Sequence, residues 1–388
     1  MKKNQLMLFA ALAVLLCCVL ACAGCVSSAP AGTGTPEPVP TIEIPPLWVT
    51  CGIYENDRFG TINLDILSED FQALGFVPGD SVDITFSNGV VCKDVPFVTG
   101  VFEKSGTLIL LARNVFNTTE IVKVNTGDEW NTLGVTENET VTVSLAEPQK
   151  YADYQKLNSL KYTRNRADFD SDEQFANFRA SAGGTLKENY IYRGASPIDN
   201  TGNRVEIVNK LLEKTGVKTI IDLADTDEQI QQFQAAEGHN APYFDKLYKD
   251  GHVIALGLST AYQSKEFAEK LVEGLVKMTE AEGPFYIACL EGKNRTGFVA
   301  LLLEALCGAD YDETCRDYML TYENYYRITK DKTPGLYNGV EEIKFHECLS
   351  SLMEKTGTTE PRAAAVAYLK EGGMTEQQID ALTKKISK

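Results

Sequence analysis

Cys289, Arg295 and Thr296 stand in the stretch PFYIACLEGKNRTG, residues 284–297, and their spacing suits the handling of a phosphate dianion. A thiol is a weak nucleophile at neutral pH, because a pKa of about 8.5 leaves little thiolate. A helix N-terminus and a nearby guanidinium lower that value, and the sulfur then becomes an anion able to attack phosphorus. Arg295 offers a planar fork of N–H donors that matches two oxygens of a transferring phosphoryl group. Thr296 follows with a hydroxyl suited to donate to the sulfur when it leaves in a second step. Leu290, Glu291, Gly292, Lys293 and Asn294 span the gap, with Gly292 as the flexible member. A loop this short turns successive backbone N–H groups inward as an anion nest.

That chemistry needs a strand to deliver the cysteine and a helix to bring its positive pole to the loop. The apolar run before Cys289 predicts the strand, and FVALLLEALCG after Gly297 predicts the helix. A general acid must protonate the leaving oxygen and then activate water. The segment IIDLADTDEQ places Asp222, Asp225 and Asp227 within six residues, where an apolar strand ends. Strand ends on one edge of an α/β sheet are where such sites gather. Asp225 is the first candidate for the acid and Asp222 the second, although Asp222 suits equally a buried partner of the arginine or of backbone N–H groups. Thr226 with Asp227 suits the cap of the helix DEQIQQFQAAEG.

With these residues in place, the chain resembles the bacterial, GKDRTG-type branch of the protein tyrosine phosphatase superfamily, whose signature is Cys, five residues, Arg, then Ser or Thr. That branch also contains lipid-directed and dual-specificity members. The resemblance extends to FANFRASAGG (175–184), NYIYRGASP (189–197), GVKTIIDLAD (216–225) and the helical ALLLEALCGADYDETCRDYMLTYENYY (300–326). It implies a metal-free reaction through a phosphocysteine intermediate, with Cys289 and Arg295 at its centre. Two positions depart from the pattern, Ala288 where the family usually has His and Asn294 where this branch usually has Asp. No WPD-like acid loop is visible.

Lys293 adds positive charge to the loop, as in relatives that act on phosphoinositides, whereas Glu291 would repel a multiply phosphorylated inositol ring. Arg179 and Arg193 suit either the site or a structural salt bridge. Tyr322, Tyr325 and Tyr326 read first as core packing and second as the wall of a cleft for an aromatic phosphoester.

Residues 1–25, MKKNQLMLFAALAVLLCCVLACAGC, read as an export signal with a lipobox. Lipidation falls on Cys25, after Ala23 and Gly24, with Cys22 the alternative. Residues 26–46 are rich in Pro, Thr, Ser, Ala and Gly and read as a tether. The formal charge of −17 argues against nucleic acid and against acidic headgroups as surface partners, so the expected membrane link is the lipid and the expected location extracytoplasmic.

Residues 47–148 carry strand-like alternation in SVDITF and TVTVSL between turn signals. LGFVPGDSVDITF from Leu74 and LGVTENETVTVSL from Leu133 echo each other at an offset of 59 residues, which predicts a duplicated unit closing into a small barrel. Cys51 and Cys92 share this region, where an oxidising exterior would allow a disulfide. His239, His252 and His346 show no metal-ligand spacing, and no cofactor is expected. Residues 149–388 complete the expected architecture, an α/β domain with a mostly parallel sheet flanked by helices. Three activities fit: a phosphomonoesterase for phosphotyrosine or dual-specificity protein substrates, a phosphatase for small or lipid phosphates such as phosphoinositides or inositol phosphates, and a binder of phosphorylated ligands without turnover.

Overall fold

Seven short strands, rich in Val, Ile and Thr, make up the N-terminal part of the computed structural model: β1 (Trp48–Asn56), β2 (Ile62–Leu67), β3 (Ser81–Phe86), β4 (Val91–Val98), β5 (Leu108–Arg113), β6 (Thr118–Lys123) and β7 (Thr140–Glu147). The structure describes residues 46–56, 61–101, 106–124, 129–358 and 360–388. The signal segment, most of the tether, and Cys22 and Cys25 lie outside the described residues.

The seven strands close a barrel in the order β1-β2-β6-β5-β4-β3-β7, with β4 and β5 parallel and the other pairs antiparallel. Closure removes the exposed edges that an open sheet would leave. Alternate side chains, among them Val82, Ile84, Phe86, Val141 and Val143, fill its interior. Ile62 pairs with Ile121 and Ile84 pairs with Val143. Both separations are 59 residues (121 − 62 and 143 − 84), the same offset as the echo between the LGF and LGV segments. In the barrel order β4 lies between β3 and β5. No disulfide joins Cys51 and Cys92. Burial, with the charge of Asp65 behind it, pushes the Cys51 thiol up to about 11.

The second sheet contains β8 (Arg179–Ala180), β9 (Ile191–Gly194), β10 (Thr219–Asp222), β11 (Val253–Ala255) and β12 (Phe285–Ala288), in the order β11-β10-β12-β9-β8. Three pairings are parallel and only the β9–β8 edge is antiparallel. β10 and β12 are buried along their whole length, as expected for strands covered by helices on both faces. Along β12, Phe285, Ile287 and Cys289 join one core, and Tyr286 and Ala288 the other. Register sets Gly194, Asp222 and Ala288 side by side at the C-terminal ends of three adjacent strands.

The helix Asn294–Leu306 leaves that edge and is buried from Thr296 onward. A helix apolar on every side must be wrapped by others, and Tyr311–Tyr326 and Pro361–Glu371 pack against it. The helix Ala152–Asn158, after the barrel, packs on the helix Pro334–Val340, where Gly335 and Gly339 make room for Asp153 and Leu157. The barrel and the second sheet therefore belong to one compact unit, residues 46–388. Among the described residues no helix is long and apolar enough to cross a membrane.

Candidate active site

Cys289 emerges from the end of β12 with 4% of its surface exposed. The chain then makes a tight loop through Gly292, whose φ of +66° lies in the left-handed region. A Cβ at this position would run into the carbonyl of Gly194, so only glycine lets the loop lie against β9. The Gly292 carbonyl accepts from Asn177 Nδ2 at 3.1 Å and from Arg193 Nη2 at 3.2 Å. Lys293 follows with φ −103° and ψ −77° and leads into the helix at Asn294. Left- and right-handed residues in succession aim neighbouring N–H groups to one side. Among the described residues, no amide N–H from Leu290 to Thr296 donates to a protein acceptor. The loop is thus a set of open donors at the positive pole of a helix.

Arg295 donates from Nη1 to the Leu258 carbonyl at 2.8 Å, which anchors one end of its fork. The Thr296 hydroxyl is fully buried and has no hydrogen-bond partner, Cys289 included. Ala288, in the position before the cysteine, faces the opposite core and is closed in by β9 and β10. Asn294 is exposed at the start of the helix.

Behind the loop lies a buried ionic network. Arg193 is 1% exposed and pairs with Asp317, to which Arg179 also donates at 2.8 Å. Arg179 further holds the Asn177 side chain at 2.8 Å and Thr321 Oγ1 at 3.1 Å. Burial opposes charge on Asp317, but the two guanidiniums outweigh it and hold its carboxyl below the usual range. Glu304 beside it is raised well above that range by burial and by the Asp317 charge. Of the two alternatives for Arg179 and Arg193, the structural one is realised: they grip the loop from its back, directly through Gly292 and indirectly through Asn177.

Asn177, Asp317 and Thr321 were not singled out by sequence reasoning. One signal for two of them exists, since Asp317, Thr321 and Tyr325 recur every four residues along the helix Tyr311–Tyr326 and so share one face. Asn177, left-handed at φ +51°, has no such pattern around it.

The three aspartates separate by environment. Asp222 ends β10, and its Oδ1 accepts from the N–H groups of Ala224 at 2.9 Å and Asp225 at 3.2 Å. Burial pushes its carboxyl up to about 8, with the Asp225 charge adding to the effect. Asp225 is also raised, by burial and by the charge of Asp199, while Asp222 and Arg295 pull it down. Both are buried, and the Oδ2 atom of each has no partner. Asp227 lies in the first turn of the helix Asp227–Ala235, which Thr226 caps with Gln229 in a capping box, and its carboxylate accepts from Tyr248 at 3.0 Å.

Charge on the loop is balanced by tyrosines. Glu291 accepts from the Tyr162 hydroxyl and lies 3.5 Å from the Lys293 ammonium, which itself donates to Tyr326 at 2.9 Å. The Tyr325 hydroxyl donates to the Glu291 carbonyl at 2.7 Å. Tyr322 and Tyr325 are buried, as core packing requires, yet Tyr322 also lines a cavity of about 330 Å³ next to the loop. Tyr262, Lys293, Asn294, Lys344 and Glu347 line it too. Core packing thus holds for Tyr322 and Tyr325, and of the three tyrosines Tyr322 lines this cavity.

A family model described as the tyrosine phosphatase family matches residues 173–388, more than half of the chain. No curated protein matches. Among solved structures, an uncharacterized conserved protein from Thermotoga maritima is 23% identical, with a TM-score of 0.22 over 25% of this chain. The present chain covers 38% of that protein's length. TpbA of P. aeruginosa is 15% identical with a TM-score of 0.21, over 53% of this chain and 95% of its own.

Proposed function

Because the chain belongs to the tyrosine phosphatase family, we propose that it hydrolyses phosphomonoesters, phosphotyrosine or dual-specificity protein substrates first, through a phosphocysteine intermediate. The observation that carries this reading is the loop itself: Cys289 at a strand end, open amides held by a left-handed Gly292, Arg295 on the first turn of the helix. The Cys289 thiolate attacks phosphorus and the P–O bond to the leaving group breaks. The amides of 290–295 and the Arg295 fork stabilise the charge spread over the equatorial oxygens. Asp225 gives its proton to the leaving oxygen, then takes one from the water that cleaves the S–P bond and releases phosphate. Its raised pKa and its nearness to Arg295 support that role, although the Arg295 charge itself pulls the pKa down, whereas Asp222 is engaged by the turn N–H groups. Thr296, buried and unpartnered, supplies a donor to the departing sulfur.

A second reading, small substrates with another anionic group such as inositol phosphates, is favoured by Lys344, which joins Lys293 in lining the cavity beside the loop. Glu291, the objection to it, is occupied by Tyr162 and Lys293. Wild type and Cys289→Ser are to be compared on a phosphotyrosine peptide, a phosphoserine peptide and inositol phosphates. Equal rates for the two proteins on every substrate would end the enzyme reading and leave phospho-ligand binding.

The protein acts outside the cytoplasm, held to the membrane by a lipid on Cys25. The signal-like first 25 residues and the Pro-rich tether support this. Labelling with a fatty acid is expected to survive Cys22→Ala and to disappear with Cys25→Ala; the reverse result moves the lipid to Cys22.

A further inference from the structure

We propose that Tyr162, which lies ahead of the family-matched stretch, is a positioning residue of the phosphate loop: its phenol holds the Glu291 carboxylate on an aromatic wall and so keeps that charge off the incoming phosphate. The inference rests on the reading of residues 289–296 as the phosphate site.

Glu291 poses a physical problem for such a loop. It stands two residues after the thiol and four before Arg295, so its carboxylate competes for the guanidinium and repels a dianion over a few ångströms. The structure answers with three tyrosines. Tyr162 donates to the carboxylate, Tyr325 donates to the carbonyl of the same residue at 2.7 Å, and Tyr326 accepts from Lys293, the ammonium that faces the same carboxylate at 3.5 Å. Side chain, main chain and counter-charge of Glu291 are all tied to one wall.

Tyr162 has little freedom to swing away. Its ring stacks on Tyr325 with centroids 4.7 Å apart and meets Tyr326 edge-on at 5.6 Å. The Arg204 guanidinium lies over both Tyr162 and Tyr325, at 5.2 and 5.0 Å. Arg204 is itself fixed by the carbonyls of Phe175 at 2.7 Å and Gly202 at 2.9 Å. Burial and the contact with Glu291 push the phenol pKa up, so the hydroxyl remains a donor across the physiological range.

The test uses the mature chain with Tyr162→Phe, which keeps the stacked ring, together with Glu291→Gln and the double variant. Kinetics on para-nitrophenyl phosphate give kcat and KM, and calorimetry with inorganic phosphate in a Cys289→Ser background gives affinity without turnover. Tyr162→Phe is expected to raise both KM and the phosphate Kd about tenfold while kcat stays within about twofold, the loss of one hydrogen bond to a charged group. Glu291→Gln in the same protein is expected to restore both values, because an amide does not repel the dianion. A Tyr162→Phe protein with wild-type phosphate affinity overturns the inference, and so does a double variant as weak as Tyr162→Phe alone.

Glu291→Gln by itself gives an independent reading that does not depend on the folding of Tyr162→Phe. It is expected to tighten phosphate by about two- to threefold; a gain of about a hundredfold would mean that Glu291 is not restrained in the native protein. A wild type that binds phosphate but turns nothing over removes the catalytic reading, and the affinity comparison still decides the role of Tyr162.

Discussion

Replacing Gly292 by alanine tests the geometry of the loop at its tightest point. Two costs are separable. An L side chain at φ +66° costs about 1–2 kcal/mol. The added Cβ also meets the carbonyl carbon, oxygen and Cα of Gly194. Those are backbone atoms of β9, held by the pairing of Gly194 with Ala288, so no rotamer relieves the collision. The loop must lift away, which breaks the bonds from Asn177 and Arg193 to the Gly292 carbonyl. A neutral bond is worth about 1 kcal/mol and a charged one about 1.5–3. Leaving the native position gives up about 2.5–4 kcal/mol, less than a backbone overlap that no rotamer relieves costs in place, so a displaced loop becomes the main population.

The sheet and helices do not depend on that position, so global stability falls by no more than those two bonds, about 2.5–4 kcal/mol and several degrees in Tm. A displacement of about 1 Å costs a reacting pair about 100-fold. Gly216→Ala is the control, since Gly216 also has φ +66° but nothing within 4 Å of an added Cβ. It should lower Tm slightly and leave kcat/KM unchanged. Kinetics on an aryl phosphate with thermal unfolding of both variants decide the matter. Activity of Gly292→Ala within about threefold of wild type, against the hundredfold loss expected from misplacement, would refute the reasoning. Equal damage from Gly216→Ala would do so as well, since the effect would then come from the dihedral alone.

Asp225→Asn is expected to slow alkyl phosphates by about 10²–10⁴-fold and activated aryl phosphates far less, as loss of a general acid does; the same pattern in Asp222→Asn instead would transfer the role. Asp222, with its folded pKa at about 8 against about 3.9 in an unfolded chain, favours the fold most at low pH. Its contribution falls as pH rises from about 4 through about 8. Asp222→Asn should remove that decline, so urea unfolding curves of the two proteins that shift in parallel between pH 5 and pH 8.5 would count against the assignment. Asp317→Asn leaves two buried guanidiniums without their anion and should cost about 3–5 kcal/mol in chemical denaturation. A loss near zero would show that solvent or another carboxylate serves the arginines.

The strand, loop and helix around Cys289 were legible because each depends on neighbours in the chain. An apolar run, a glycine and a second apolar run occupy consecutive positions, and fixed bond lengths leave few ways to connect them. The barrel was legible for a related reason: alternating apolar side chains between turn signals mark SVDITF and TVTVSL as strands, and closure pairs their edges. Cys289, Arg295 and their spacing were thus set by the sequence alone, together with the sign of the field they feel.

What holds the loop was decided by closure of the fold. Asn177 reaches Gly292 from 115 residues away, Arg193 from 99, and Tyr162 reaches Glu291 from 129. No local pattern records such meetings, because the partner of a polar side chain is whatever the packed core leaves within about 3 Å of it. The same holds for the aspartates. Asp222, Asp225 and Asp227 are nearly equivalent along the chain, and only burial beside Arg295, capping of a turn, or a tyrosine on the next helix gives each its separate environment.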